Sequence, residues 1–294
     1  MTGARLTVRG QVQGVGFRPT VWRLAREMGL AGDVKNTAEG VVIRLWGEGL
    51  DSFPGRLHAA LPALARIEEL RVEPLDDAPP LGFAIVASEA LGTMRGSVTP
   101  DAATCPDCLA EIRDPFQHRY RYPFTNCTNC GPRFSIVTGA PYDRARTTMA
   151  PFDLCEICAG EYADPTDRRF HAQPVACGRC GPQIWIEKLG PGAVNHEAFS
   201  MLDDIDATGG MILNGHIVAI RGLGGVHLAC DATNAAAVAE LRRRKGRNGK
   251  AFALMARDLG VVREFCQVSE AEAAALSGPE APIVLLKSLP NALP

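Results

Sequence analysis

Eight of the ten cysteines fall in four Cys-x-x-Cys pairs: Cys105/Cys108, Cys127/Cys130, Cys155/Cys158 and Cys177/Cys180. Eighteen residues separate the first pair from the second and the third from the fourth, and the whole unit recurs after 50 residues. Each unit ends in Cys-Gly-Pro, at Cys130-Gly131-Pro132 and Cys180-Gly181-Pro182. Interior positions match as Glu111/Glu161, Asp114-Pro115/Asp164-Pro165 and Arg119/Arg169. Self-similarity at a fixed period marks an internal duplication. Two Cys-x-x-Cys turns can supply four thiolates in a tetrahedron, the shell that Zn2+ prefers. The spacing therefore predicts two structural Zn2+ centres ligated by these eight cysteines. A closed shell leaves no position for a reacting water, so neither centre is expected to be catalytic.

Pairing of turns within each 50-residue repeat is the expectation, although first with fourth and second with third would satisfy the same chemistry. A disulfide framework is the competing reading. Against it, the start Met1-Thr2-Gly3-Ala4-Arg5 lacks the apolar stretch of a secretory signal, and disulfides are uncommon in the cytosol. Redox Cys-x-x-Cys chemistry needs one pair, not four. Cys230 and Cys266 lie off the ruler and are expected to pack as small apolar residues.

A second candidate is the loop Gly10-Gln11-Val12-Gln13-Gly14-Val15-Gly16-Phe17-Arg18. Glycines at 14 and 16 let consecutive backbone N–H groups line a concave nest before a helix N-terminus, where an anion is favoured. Arg18 adds a guanidinium that can grip phosphate oxygens with two parallel bonds. On pattern alone a tight β-turn accounts for the glycines equally well, and Asn36 reads as a turn residue ahead of a hairpin. The third candidate is the basic run Arg242-Arg243-Arg244-Lys245-Gly246-Arg247-Asn248-Gly249-Lys250. It reads as a solvated helix end favoured by the helix dipole, a nucleic-acid patch, or a nucleotide-phosphate site. Arg119, Arg121, Arg133, Arg168 and Arg169 lie between or beside the cysteine pairs. They are read first as charge balance for the doubly negative four-thiolate zinc centres.

These groups need elements to hold them. Leu6 and Val8 alternate as in a strand, and Val21, Trp22, Leu24, Ala25 and Met28 recur at helical spacing up to Gly29. Val34–Asn36 and Val41–Trp46 form an expected hairpin. Leu50–Leu61 is an expected helix, with further strands at Ile67–Val72 and Phe83–Val86. The order βαββαβ is the split arrangement of ferredoxin-like domains. Further along, the apolar run Ile217–Ile220 suggests a buried strand. Asp231-Ala232 opens a helix with Val238 and Leu241 facing inward, and Phe252–Met255 reads as a strand. The predicted architecture is α+β and multidomain, divided as residues 1–90, a tandem four-cysteine zinc region over 91–190, and an α/β segment over 200–294.

The net charge of −2 argues against wholesale nucleic-acid binding, and no apolar run reaches the roughly 18 residues that span a bilayer. A cytoplasmic protein with no membrane partner is expected, and nucleic acid is not the expected partner.

Three resemblances sharpen the reading. Val8-x-Gly10-x-Val12-Gln13-Gly14-Val15-Gly16-Phe17-Arg18, followed by Gly32-Asp33-Val34-Lys35-Asn36-Thr37-x-x-Gly40-Val41, resembles the acylphosphatase signature. The resemblance implies a phosphate held by Arg18 and the loop Gln13, Gly14, Val15, Gly16, Phe17, with Asn36 orienting the attacking water. Gly224-Gly225-x-His227-Leu228 with Lys245-x-Arg247-x-x-Lys250-x-Phe252-Ala253-Leu254-Met255 resembles the start of a YrdC-type domain. It implies nucleotide or carbamoyl-phosphate contacts by Lys245, Arg247 and Lys250, although Asn248 and Ala251 stand where prolines are common in that family. The order of parts resembles the HypF carbamoyltransferases of [NiFe] hydrogenase maturation. That family implies hydrolysis of carbamoyl phosphate, joining of carbamate to AMP from ATP (as Mg2+-ATP), and transfer of the carbamoyl group to a cysteine of HypE. The YrdC-like segment is shorter than such a domain and the transfer domain is missing, which predicts a truncated chain. Two alternatives stay open: an acylphosphatase standing alone on a zinc scaffold, and a zinc-containing nucleic-acid-binding module, for which the pair Arg18 and Asn36 would have no use.

Overall fold

The computed structural model describes residues 3–88, 100–131, 134–139, 141–187, 203–247, 249–290 and 292–294. The chain divides into two compact units, Met1–Pro182 and Gln183–Pro294.

The first unit opens with strand β1 (Gly3–Gln11), helix α1 (Phe17–Glu27), the hairpin β2 (Ala31–Thr37) and β3 (Gly40–Trp46), helix α2 (Phe53–Ala59), β4 (Arg66–Leu75) and β5 (Phe83–Ile85). The sheet order is β4-β1-β3-β2-β5, with β5 parallel to β2 and the other pairs antiparallel. The first four strands give the ferredoxin-like arrangement, and β5 extends it by one edge strand. Leu6 pairs with Ile43 and Val8 with Val41, so one sheet face is apolar and packs on Val21, Leu24 and Ala25 of α1 and Phe53 and Leu57 of α2. Each such fully buried aliphatic or aromatic side chain contributes about 1.5–3 kcal/mol through removal from water. The expected Leu50–Leu61 helix divides into a 3-10 turn at Leu50–Ser52 and then α2.

The remainder of this unit is poor in regular structure. Helices α3 (Pro106–Arg113) and α4 (Glu156–Ala163) each begin one residue after the first cysteine of a repeat. Its apolar clusters are small, and two of them consist largely of cysteines and their neighbours. So little buried area cannot by itself offset the ordering of some 80 residues, and other interactions must supply the difference.

The second unit contains α5 (Asp204–Leu213), the hairpin β6 (Val218–Gly222) and β7 (Gly225–Ala229), α6 (Ala235–Lys245), α7 (Leu259–Phe265), β8 (Cys266–Gln267), α8 (Glu270–Ser277) and β9 (Lys287–Ser288). Its helices are locally well specified. Asp203, Asn234, Asp258 and Ser269 each cap a helix N-terminus through a side-chain oxygen. Three expectations need correction. The strand over Ile217–Ile220 exists as β6 but is not buried, and Ile220, Val226 and Leu228 are exposed. The hairpin forms a two-stranded sheet with no third strand among the described residues, so apolar content does not become burial. Phe252–Met255 makes no strand, because no edge pairs with it; Met255 is fully exposed. Helix α6 starts at Ala235, later than expected, since Asp231 is used in a turn that accepts from the Thr233 N–H and hydroxyl. Val238 is half-buried and Leu241 buried. Cys230 and Cys266 are both half-buried.

Candidate active site and metal centres

The loop after β1 is set by a register shift against β4 between Arg9 and Gly10, a bulge that turns the chain out of the sheet. Gly14 and Gly16 take φ of 75° and 76°, a region that costs L-residues roughly 1–2 kcal/mol. Gly16 then serves as N-cap of α1, and its carbonyl accepts the Thr20 N–H at 3.1 Å. The first-turn N–H groups of α1 are thereby directed at the loop, and Arg18 projects from that turn. Its guanidinium is buried, which lowers its pKa from the ordinary arginine value, with Asp143 opposing. Nη2 of Arg18 lies 3.3 Å from the Asp143 carboxylate, and Nη1 lies 3.5 Å from Ser88 Oγ.

Asn36 on β2 is completely buried. Its Nδ2 lies 3.5 Å from the Tyr142 carbonyl, while its Oδ1 has no hydrogen-bond partner. Arg18 and Asn36 therefore meet through the adjacent residues Asp143 and Tyr142. Gln13 bridges the same place: its Nε2 donates to the Thr37 and Gly40 carbonyls at 2.8 Å, and its Oε1 accepts the Tyr142 N–H at 3.0 Å. The sequence reading missed Tyr142 and Asp143. They lie between the two cysteine repeats, 125 residues from Arg18 in the case of Asp143, and nothing local marks them.

The glycine loop is also buttressed from the cysteine region. A methyl group on Gly16 would meet Thr128 Cβ at 3.1 Å, and one on Gly131 would meet the Leu64 side chain. Trp22 of α1 packs edge-on against Phe170 with ring centroids 5.7 Å apart. The phosphate-type loop is thus held between its own sheet and both repeats.

The eight cysteines gather in two clusters, first turn with second and third with fourth. Sγ–Sγ distances are 3.6 Å for Cys105–Cys127, 3.8 Å for Cys108–Cys130 and 4.0 Å for Cys127–Cys130. In the second cluster Cys155–Cys177 and Cys177–Cys180 are both 3.7 Å apart. A tetrahedral ion with Zn–S bonds near 2.3 Å has edges of about 3.8 Å. The spacing is therefore that of a metal shell, four-thiolate in the first cluster, and too long for disulfides, and all eight cysteines are free of such bonds. In the second cluster the four ligand atoms within 4.8 Å of one another are those of His118, Cys155, Cys158 and Cys177, with His118, which the sequence reading overlooked, placing Nε2 3.9 Å from Cys158 Sγ and Cys180 adjoining through Cys177. Burial, and then the charge of Arg119, keep its pKa below the usual histidine value.

The arginines between the repeats divide by role. Arg119 donates to Cys158 Sγ at 3.2 Å, and Arg168 to Cys108 Sγ at 2.9 Å. Charge balance around the thiolates is what these two provide. Arg119 and Arg169 are also paired with Glu161 and Glu111. Burial works against the charge of Arg119, yet Glu161, Cys158 and Glu111 together raise its pKa above the ordinary value. Arg121 takes a positive φ of 58°, and Arg133 lies outside the described residues.

In the second unit Lys245 and Lys250 are exposed. Arg247 is instead engaged locally: its guanidinium lies 5.5 Å from the Phe252 ring centroid and donates to the Ala251 carbonyl. Arg242 stacks on the same ring at 4.6 Å and donates to the carbonyls of Arg247 and Lys250. The basic run is therefore a pinned helix-exit loop. Asn248 lies outside the described residues.

A ferredoxin-like domain with a glycine-loop arginine, joined to duplicated four-cysteine fingers and followed by a basic α/β segment, defines a multidomain acylphosphatase-type protein with cysteine-rich fingers. Residues 4–85 match the Acylphosphatase family, residues 104–137 and 154–187 the HypF finger, and residues 210–294 the Telomere recombination family, which includes YrdC domains. The chain is 54% identical over 301 residues to the carbamoyltransferase HypF of Rhodobacter capsulatus, covering all of this chain and 39% of that protein. It is 50% identical to HypF2 of Cupriavidus necator, covering 96% of this chain and 35% of the relative. A crystal structure of full-length HypF in a phosphate- and nucleotide-bound form superposes with a TM-score of 0.89 at 44% identity, covering 99% of this chain and 38% of that one. HypF of T. kodakarensis superposes with a TM-score of 0.83 at 42% identity, covering all of this chain and 37% of that one. The chain belongs to the HypF family. It spans under two fifths of the length of these relatives.

Proposed function

We propose that the first unit hydrolyses carbamoyl phosphate, with Arg18 and the loop Gln13–Phe17 holding the phosphate and Asn36 orienting water. The observation that carries this reading is the buried Arg18 guanidinium and the buried Asn36, whose Oδ1 has no partner, both held against the dipeptide Tyr142-Asp143. That oxygen can accept a proton of one water and aim its lone pair at phosphorus. Water oxygen bonds to phosphorus, the P–O bond to the carbamoyl oxygen breaks, and carbamate leaves. Both water protons end on the phosphate, which passes one to solvent near neutral pH. An acyl phosphate is already activated, so positioning and stabilisation of phosphoryl charge suffice.

The eight cysteines are proposed to hold two structural Zn2+ ions in sites that brace this pocket. The second unit is proposed to begin an ATP-dependent adenylation domain, with Mg2+-ATP as co-substrate and Lys245, Arg247 and Lys250 as phosphate contacts. Of these, exposed Lys245 and Lys250 suit that role better than stacked Arg247. Transfer of the carbamoyl group to HypE belongs to the full-length family members. The reduced thiol clusters favour a cytoplasmic setting, and no helix among the described residues is long and apolar enough to cross a membrane.

The test is phosphate release from carbamoyl phosphate by the purified chain and by Arg18→Ala and Asn36→Ala. Loss of one oriented donor to developing charge costs about 10²–10³-fold in kcat, and Arg18→Ala is expected to lose at least that much. Equal release by wild type and Arg18→Ala would overturn the assignment.

A further inference from the structure

Tyr142 and Asp143 reach the candidate hydrolase site from the segment between the two cysteine repeats. They are held there rigidly. The Tyr142 N–H donates to Gln13 Oε1 at 3.0 Å. Arg144, next in sequence, donates its backbone N–H to Gln173 Oε1 and its guanidinium to the carbonyls of Phe152, Gln173 and Val175. The dipeptide therefore presents a fixed set of oxygens to the pocket: the Asp143 carboxylate, 3.3 Å from Arg18, and the Tyr142 carbonyl, 3.5 Å from Asn36. Asp143 is half-buried, and the fully enclosed Asn36 Oδ1 has no hydrogen-bond partner.

Orienting one water for attack occupies one of these acceptors. A phosphate uses donors, which Arg18 and the loop N–H groups supply, and has no use for a carboxylate. Once a phosphate takes the Arg18 guanidinium, the Asp143 carboxylate loses that partner and suits a substrate that carries N–H donors on its acyl side. A carbamoyl group has an NH2 with two such donors, while an acetyl group offers only a methyl. A half-buried carboxylate facing a methyl gains no such bond, and sites built for a substrate N–H or O–H discriminate against analogues that lack it.

We propose that Asp143 is a specificity-determining residue of the hydrolase site, accepting a hydrogen bond from the amide end of carbamoyl phosphate. In the substrate-free arrangement the carboxylate pairs with Arg18. A phosphate dianion has more charge and three acceptor oxygens, so it takes the guanidinium, and the carboxylate turns to the NH2 that arrives with it. The fingers thus contribute the group that distinguishes a carbamoyl from a simple acyl phosphate. This inference rests on the hydrolytic reading above.

The experiment measures kcat/KM for carbamoyl phosphate and acetyl phosphate with the wild-type chain, Asp143→Ala and Asp143→Asn, each checked for bound metal and circular dichroism. Wild type is expected to prefer carbamoyl phosphate. Asp143→Ala is expected to lose at least about tenfold of that preference, with a higher KM for carbamoyl phosphate. Acetyl phosphate turnover should rise as the competing carboxylate leaves Arg18. Asp143→Asn keeps one acceptor oxygen and should retain part of the preference. A parallel change for both substrates, or no preference in the wild type, would overturn the role of Asp143. If the wild type turns over neither substrate, the hydrolytic reading falls. Calorimetric affinities of the two phosphates for the same three proteins then decide the role of Asp143 by the same ratio.

Discussion

Arg119 and Arg169, 50 residues apart, make the same contacts in exchanged repeats. Arg119 Nε donates to the Ala176 carbonyl at 2.7 Å, and Arg169 Nε to the Asn126 carbonyl at 3.0 Å; residues 126 and 176 are themselves 50 apart. Arg119 pairs with Glu161 of the second repeat and Arg169 with Glu111 of the first. Each also reaches the glutamate of its own repeat, at 3.4 and 3.6 Å. The two fingers are related like the subunits of a symmetric dimer fused in one chain, and an ion network of Arg119, Arg169, Glu111 and Glu161, joined by Arg168, occupies the interface where a larger protein would have an apolar core.

The exchange predicts which metal is lost when an arginine is removed. Arg119 comes from the first repeat but donates to Cys158, and Arg168 comes from the second but donates to Cys108. Groups that hydrogen-bond to metal ligands tune affinity by about 10–100-fold. Arg119→Ala should therefore weaken the Cys155/Cys158/Cys177/Cys180 centre, and Arg168→Ala the other. Chelator competition on each variant, with cysteine-alkylation mapping of the released thiols, reads this directly. Breaking the buried Arg119–Glu161 pair should also cost about 3–5 kcal/mol of stability in urea unfolding.

Metal removal should silence the hydrolase site as well as unfold the fingers. Thr128, Tyr142 and Asp143 all belong to the cysteine region, and they pack on or bond to Gly16, Gln13, Asn36 and Arg18. Four-thiolate sites supply much of the folding free energy of small domains. Titration with a strong chelator should release two metal ions per chain, and phosphate release should fall as they leave. Full activity in the metal-free chain would show that the ferredoxin-like domain holds its pocket unaided.

His171 gives a pH dependence. Its ring lies against Tyr162 and Phe170, with centroids 5.1 and 4.6 Å away. Burial, and next the positive charge of Arg18, push its pKa down to about 4, with Asp143 opposing. In the unfolded chain it titrates near 6.5. Between these values the unfolded state binds more protons, so stability rises with pH. This contribution is complete above about pH 6.5 and is lost as pH falls toward 4. Urea midpoints of the wild type should fall more steeply across that window than those of His171→Gln. Parallel curves would show that His171 does not sense the pocket.

Much was legible in the sequence because its causes are local or periodic. The βαββαβ order follows from strand and helix periodicity, and the Cys-x-x-Cys ruler follows from the reach of a single turn. Arg18 and Asn36 were singled out through the acylphosphatase resemblance, and each contacts one residue of the dipeptide Tyr142-Asp143. The sequence determined which groups are capable of chemistry: four thiolates per repeat, a glycine nest, a guanidinium and a neutral amide. Only the tertiary structure decided which cysteine turns meet, that Arg119 and Arg168 serve the opposite repeat, and that Tyr142 and Asp143 reach the phosphate-type loop. It also decided that β6 and β7 stay exposed despite their apolar residues. The physical reason is the same throughout. A hydrogen bond or a buried face needs a partner whose separation along the chain is set by how the repeats fold back on the sheet, and that distance leaves no local mark in the residues themselves.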